Sequence, residues 1–213
     1  MSSEWEANQM AKTKPETAQV AAETIEHCIR SRRSVKPAAF SDVPVADEVI
    51  DRMLEAANWA PTHGCTEPWR FFVYTNEARI ELGNKIAELY LQITKPENCR
   101  PATVDKLKNF AAASSHLIVI AMKRQESGKI SRVDEVAAVA CAVQNLHLMA
   151  TACGVAGYWS SAKAICNDLM KDHLGLAADD EVLGMFYVGN AKGELPEGKR
   201  KPIADKVSWF GRG

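Results

Sequence analysis

The chain has 213 residues, 46% of them hydrophobic and 25% charged, with a formal net charge of −1. That length fits one domain with a full core, and the near-neutral balance excludes a general nucleic-acid binder, which would carry a basic excess. The six cysteines, at 28, 65, 99, 141, 153 and 166, form no Cys-x-x-Cys pair. With no apolar leader and no stretch long enough to cross a bilayer, they point to reduced thiols, a cytoplasmic location and no membrane contact.

Residues 1–16 are polar and are expected to be disordered, leaving 17–213 as a single domain. From Thr17, apolar Val20, Ala21, Ile25, Cys28 and Ile29 recur at helical spacing, and this helix should end near Arg30 to Arg32. Pro37 then imposes an extended connection. Pro44 can open a second helix, with Asp47 and Glu48 at the positive end of its dipole and Val45, Val49, Ile50, Met53, Leu54 and Ala57 as its buried stripe.

A loop bounded by Pro61 and Pro68 follows and carries Thr62, His63, Cys65, Thr66 and Glu67. Polar groups held between a helix end and a strand start suit a ligand site, although on local grounds alone a plain polar connection closed by a buried Trp69 is the favoured reading. Arg70–Tyr74 is predicted to be a strand, buried on both faces in its middle. Helices are expected over Glu77–Leu91 and Thr103–Ala113, separated by a connection broken at Pro96 and Pro101. The continuous apolar run Leu117–Ala121 is a central strand.

The longest helix, Val133–Cys153, is apolar nearly all round, which predicts burial on most faces and suits a dimer core. Gly154 caps it. Val155–Trp159 is a strand, Ala162–His173 a helix stopped at Gly175, and Glu181–Gly189 the last strand before a charged loop and a tail ending Trp209-Phe210. This order yields about four strands surrounded by helices, either α+β or mixed α/β.

Arg32-Arg33-Ser34-Val35-Lys36 and Ala60-Pro61-Thr62-His63-Gly64-Cys65-Thr66-Glu67-Pro68-Trp69 together resemble the FMN-dependent nitroreductase family. That family opens with Arg-Arg/His-Ser-x-Arg/Lys. It later shows Ala-Pro-Ser-x-x-Asn-x-Gln-Pro-Trp entering a strand, at the same internal spacing. Here the family's Asn is Cys65 and its Gln is Glu67. A smaller branch has a His where His63 stands, and this chain is most similar to that branch. The resemblance implies an α+β fold with a central, mostly antiparallel sheet of four to five strands. It also implies a homodimer with an exchanged C-terminal tail and FMN at the subunit interface.

Arg32, Arg33 and Ser34 offer two guanidinium groups and a hydroxyl, the donors that a phosphate needs. Alone, they also read as a basic helix end. The resemblance assigns them to the FMN phosphate, joined by a basic residue near the C-terminus, here Arg200. It assigns Lys36 to the ring edge that becomes negative on reduction, and Trp59, Thr62 and His63 to flavin contact across the interface. Gly157, Trp159, Ser160 and Ser161, in a glycine-rich segment, are implied to line the flavin. No side chain is expected to act as a nucleophile.

Ser160-Ser161-Ala162-Lys163 matches Ser-x-x-Lys of penicillin-binding serine enzymes, but the companion motifs are absent. Histidines 27, 63, 116, 147 and 173 have no metal-ligand spacing, so no metal is expected. There is no Gly-x-Gly-x-x-Gly, so NADH or NADPH would visit the pocket of the small-molecule acceptor. The expected function is NAD(P)H-driven reduction of nitroaromatic, quinone or related electron-poor acceptors by a ping-pong mechanism. Its alternatives are a flavin-binding protein without turnover and the Ser-x-x-Lys hydrolase.

Overall fold

The computed structural model describes residues 3–211, with side chains over 17–211. The chain divides into two compact units. One is residues 34–194, and the other joins residues 1–33 to 195–213. The first helix is described from Ser3 rather than Thr17, while the side chains of residues 1–16, the segment expected to be disordered, lie outside the described residues.

The larger unit is built on a four-stranded antiparallel sheet in the order β1-β2-β4-β3. Its strands are β1 (Trp69–Tyr74), β2 (His116–Met122), β3 (Ala156–Ser160) and β4 (Glu181–Gly189). Every residue of β2 is buried, as its unbroken apolar run predicts. Ile118, Ile120 and Met122 face one core with Phe186 and Val188 of β4. Leu117 and Val119 face the other with Met185 and Tyr187. The first core is covered by α2 (Asp47–Asn58) and α5 (Arg132–Ala152), and the second by α3 (Asn76–Ile93), α4 (Pro101–Ala113) and α6 (Asp168–His173). The smaller unit carries α1 (Ser3–Ser31) and the C-terminal segment with a 3₁₀ turn at Ile203–Lys206.

The order of helices and strands is the expected one, but three local expectations are corrected. Helix α2 starts at Asp47 rather than Pro44, because the Val45 N–H donates to Ser115 Oγ at 2.8 Å and holds the preceding residues extended. Strand β1 lies at a sheet edge, so Phe71 and Phe72 are only half-buried. Helix α6 is short, because Asn167, at φ −153, caps it by accepting from Met170 N. Residues 162–166 form a separate turn instead, with Ile165 N and Cys166 N both donating to Ala162 O.

Helix α5 is buried on most faces, as its composition predicts, but not on all. It buries Ala138, Val139, Ala142, Val143, Leu146 and Ala150, while Val133 is 70% exposed and Ala137, Cys141 and Gln144 are exposed beside it. One helix, α2, and the sheet cover only part of a cylinder, so one stripe of a largely apolar helix is left bare among the described residues.

Candidate functional site

In the smaller unit, three arginines gather. Arg33 is held by its own surroundings: Nε donates to Pro196 O at 2.7 Å, and Nη1 donates to Arg30 O at 2.6 Å and Arg32 O at 2.8 Å. A Cβ at residue 198 would come within 2.6 Å of Arg33 Nη2, so glycine there lets the chain pass against the guanidinium. The passage brings Arg200 near Arg32. Partial burial first, then the charges of Arg200 and Arg33, lower the Arg32 proton affinity below that of an ordinary guanidinium. All three remain cations, since arginine does not lose its proton in proteins. Like charges brought together in this way repel, and an anion among them offsets that cost.

In the larger unit, Ser34 forms a parallel bridge with Gly157, and Val35 N donates to Gly157 O at 3.0 Å. The segment thus lies along β3, an edge strand. A Cβ at residue 157 would come within 2.2 Å of the Phe186 ring, so only glycine permits that packing. Lys36 is exposed and extended (φ −69, ψ 147), as the residue before a proline must be. Trp159 is 38% exposed, Ser160 closes β3, and Ser161 lies exposed just beyond it.

The Pro61–Pro68 loop is internally tied. Thr62 Oγ1 and Thr66 Oγ1 are 3.0 Å apart, and Glu67 N donates to Thr62 Oγ1 at 3.3 Å. Trp69 Nε1 donates to Asn58 Oδ1 at 3.1 Å, joining the two ends of the connection. Trp59 is 79% exposed, although its Nε1 donates to Glu55 Oε1 at 2.9 Å. His63 is exposed at the start of a 3₁₀ turn. Two residues without glycine's freedom adopt positive φ in this loop: Cys65 at 53° and Glu67 at 44°.

The two groups of this unit stand apart. Trp59, Thr62 and His63 precede β1, whereas Gly157, Trp159 and Ser160 lie on β3, and β1 and β3 are opposite edges of the sheet. Three interstrand spacings amount to about 14 Å.

Sequence reasoning missed two polar groupings. Ser115 Oγ and Asp47 Oδ1 flank His116, at 3.0 Å from Nδ1 and 3.0 Å from Nε2 respectively. Ser115 Oγ also accepts the Val45 N–H, so this chain pins the start of α2 to β2. The second grouping is buried Glu135, which pairs with Arg124 and accepts from Gln125 N at 3.2 Å. Residues 69 positions apart, as Asp47 and His116 are, show no spacing signal. Among the described residues no group of three or more His, Cys, Asp or Glu could hold a metal ion, and no helix is long and apolar enough to cross a membrane.

Comparison with known proteins bears on this arrangement. A model of the Nitroreductase family matches residues 29–190. The chain is 32% identical over 199 residues to a Bacillus subtilis protein named "Putative NAD(P)H nitroreductase YfhC", covering 91% of this chain and 98% of that one. The crystal structure of a nitroreductase-like family protein from Bacillus cereus superposes with a TM-score of 0.75 at 29% identity, over 88% of this chain and 96% of that chain. The FMN-dependent nitroreductase NfnB from Mycobacterium smegmatis, solved in complex with NADPH, shares the fold at a TM-score of 0.68 and 18% identity, over 89% of this chain and 99% of that one.

Proposed function

Because the chain belongs to the nitroreductase family, we propose that it is an FMN-dependent oxidoreductase that oxidises NADH or NADPH and reduces nitroaromatic, quinone or related electron-poor acceptors. The observation that carries this reading is the cluster of Arg32, Arg33 and Arg200, with Arg33 fixed by three hydrogen bonds and Arg32 crowded by like charge. Such a cluster fits a phosphate monoester, the one strongly anionic group of FMN.

Bound FMN would supply the chemistry, taking a hydride from the reduced nicotinamide and passing electrons on to the acceptor. The residues bind, orient and tune. Arg32, Arg33 and Arg200 hold the phosphate. Ser34 adds a hydroxyl, and Gly157 allows close approach of the backbone along β3. Lys36 places positive charge at the ring edge. Ser160 and Ser161 offer hydroxyls at the end of that strand, and Trp159 offers an indole face. His63 stands exposed as a proton donor or hydrogen-bond partner.

We further propose that the working form is a homodimer. Trp59, Thr62 and His63 are at the sheet edge opposite Gly157 and Trp159, so a second copy supplies one group to the flavin held by the other. The bare stripe Val133, Ala137, Cys141 and Gln144 on α5 is apolar enough to be covered by that copy. In the smaller unit Ile25, Trp209 and Phe210 are 60%, 68% and 93% exposed, which suits a tail exchanged between subunits.

The absorbance spectrum tests the reading. A stoichiometric flavin band that NADH or NADPH bleaches, and that an electron-poor acceptor restores, supports turnover. A band that neither nicotinamide bleaches leaves a flavin carrier, and a protein that gains no band with added FMN overturns both. With one pocket serving both substrates, initial rates should give parallel double-reciprocal lines.

A further inference from the structure

The segment after β2 runs beside the flavin loop. Lys123 N donates to Pro68 O at 2.7 Å, one step beyond the Trp69–Met122 pair of β1 and β2. Farther along, the position of Gly64 faces Ile130, whose Cδ1 would lie 3.1 Å from a Cβ there. Between loop and segment is a recess of about 360 Å³ lined by Thr66, Arg70 and residues 123–127. Lys123 stands in the wall that this recess shares with a larger cleft of about 1020 Å³.

The wall is held in place. Arg124 N donates to Asp180 Oδ1 at 2.9 Å, Arg124 Nη2 to Ile130 O at 3.2 Å, and Gln125 N to Glu135 Oε1 at 3.2 Å. Arg70 is also oriented, since its Nη1 donates to Glu67 O at 2.9 Å and Trp69 O at 2.7 Å. The charge of Arg124 is matched by buried Glu135. Two cations lining the recess, Arg70 and Lys123, therefore stand without a carboxylate partner among the described residues, against one acid, Glu126.

We propose that Arg70 and Lys123 bind the 2′-phosphate of NADPH and make the enzyme selective for NADPH over NADH. The inference rests on the reading above, in which a nicotinamide reaches a flavin beside the Pro61–Pro68 loop. With no dinucleotide-binding unit in the sequence, the adenosine end must lie along neighbouring surface, and this recess begins at Thr66. The two dinucleotides differ only in a phosphate monoester, which carries close to two negative charges near pH 7. A guanidinium and an ammonium on a fixed wall suit such a group, whereas Glu126 alone would favour a ribose hydroxyl.

Binding and kinetics on the FMN-loaded protein test this. Wild-type kcat/KM should be at least about tenfold higher with NADPH than with NADH. Lys123→Gln, a change at an exposed side chain, should lower the NADPH value about tenfold and leave NADH within about twofold. Lys123→Glu should reverse the preference. By calorimetry, adenosine 2′,5′-bisphosphate should bind wild type more tightly than 5′-AMP, and Lys123→Gln should abolish the difference. Equal use of the two dinucleotides by wild type, or equal loss of both in Lys123→Gln, overturns the inference, the second outcome placing Lys123 at the shared pyrophosphate. If the protein takes up no FMN, the underlying reading fails, while bisphosphate binding that depends on Lys123 still separates the phosphate site from that failure.

Discussion

Cys65 and Glu67 are the two departures from the family's loop pattern, and both occupy the left-handed region, at φ 53 and φ 44. An L-residue with a full side chain loses about 1–2 kcal/mol there, and asparagine tolerates it best. The loop holds them by its own bonds, Thr62 to Glu67 N on one side and Arg70 to Glu67 O on the other. Cys65→Asn should therefore raise stability by about 0.5–1 kcal/mol, read as a shift of the urea midpoint at unchanged slope. A fall in the midpoint would show that the thiol makes a contact worth more than the strain. At the proposed phosphate cluster, Arg33→Ala removes a charged donor worth about 1.5–3 kcal/mol, so FMN affinity should drop by about one to two orders of magnitude in equilibrium dialysis. The same change strips the bonds to Pro196 O and Arg30 O. Arg33→Lys, which keeps the charge without the planar fork, separates the two effects.

Two connections between elements set the frame in which the loop and strands sit. The Asp47–His116–Ser115 chain ties the first turn of α2 to the first residue of β2. Removing the buried imidazole with His116→Ala should cost about 1–3 kcal/mol of unfolding free energy, since Ser115 Oγ loses its ring partner and the buried ring leaves a void. At the other end of the sheet Arg132, the first residue of α5, pairs with Glu181, the first of β4. The hydrogen bond from Arg132 is the largest influence on Glu181 and holds its carboxyl below the ordinary range, against a smaller opposing effect of burial. A folded pKa below the unfolded one means that this stabilisation is present above the unfolded value. It is lost as pH falls from about 4.5, the ordinary value, through the lowered folded one. Urea midpoints measured from pH 7 to pH 3 should fall less steeply over that interval in Arg132→Ala than in wild type.

For the whole molecule, the proposed dimer makes a prediction about thiols. Cys65 and Cys141 are exposed in the single chain, whereas burial pushes the Cys166 thiol up to about 11. A thiol-disulfide reagent at pH 8 should therefore leave Cys166 unmodified, because the thiolate is the attacking form. Cys141 lies on the bare stripe of α5 and should be protected in the native dimer and labelled once dimers are dissociated. Rapid labelling of Cys141 in native protein, with sedimentation showing a folded monomer at micromolar concentration, would end the dimer proposal.

Much of this molecule follows from one-dimensional pattern. The apolar run 117–121, short and rich in β-branched residues, fits a strand covered on both faces, and α2 shows its buried stripe at helical spacing, because such patterns are a local property of the chain. The Arg32-Arg33-Ser34 and Ala60–Trp69 segments were legible for the same reason, being short and contiguous. Where α2 begins and how short α6 is were decided by side chains that reach the backbone, Ser115 at Val45 and Asn167 at Met170. No local window holds the first of these, and the second competes with a helical pattern that the window does hold. Only the folded sheet shows that the loop before β1 and the segment of β3 occupy opposite edges, since strand order is a matter of pairing and not of sequence order. The recess of Arg70 and Lys123 likewise arises because β1 and β2 run antiparallel, so that the chain leaving one passes the chain entering the other.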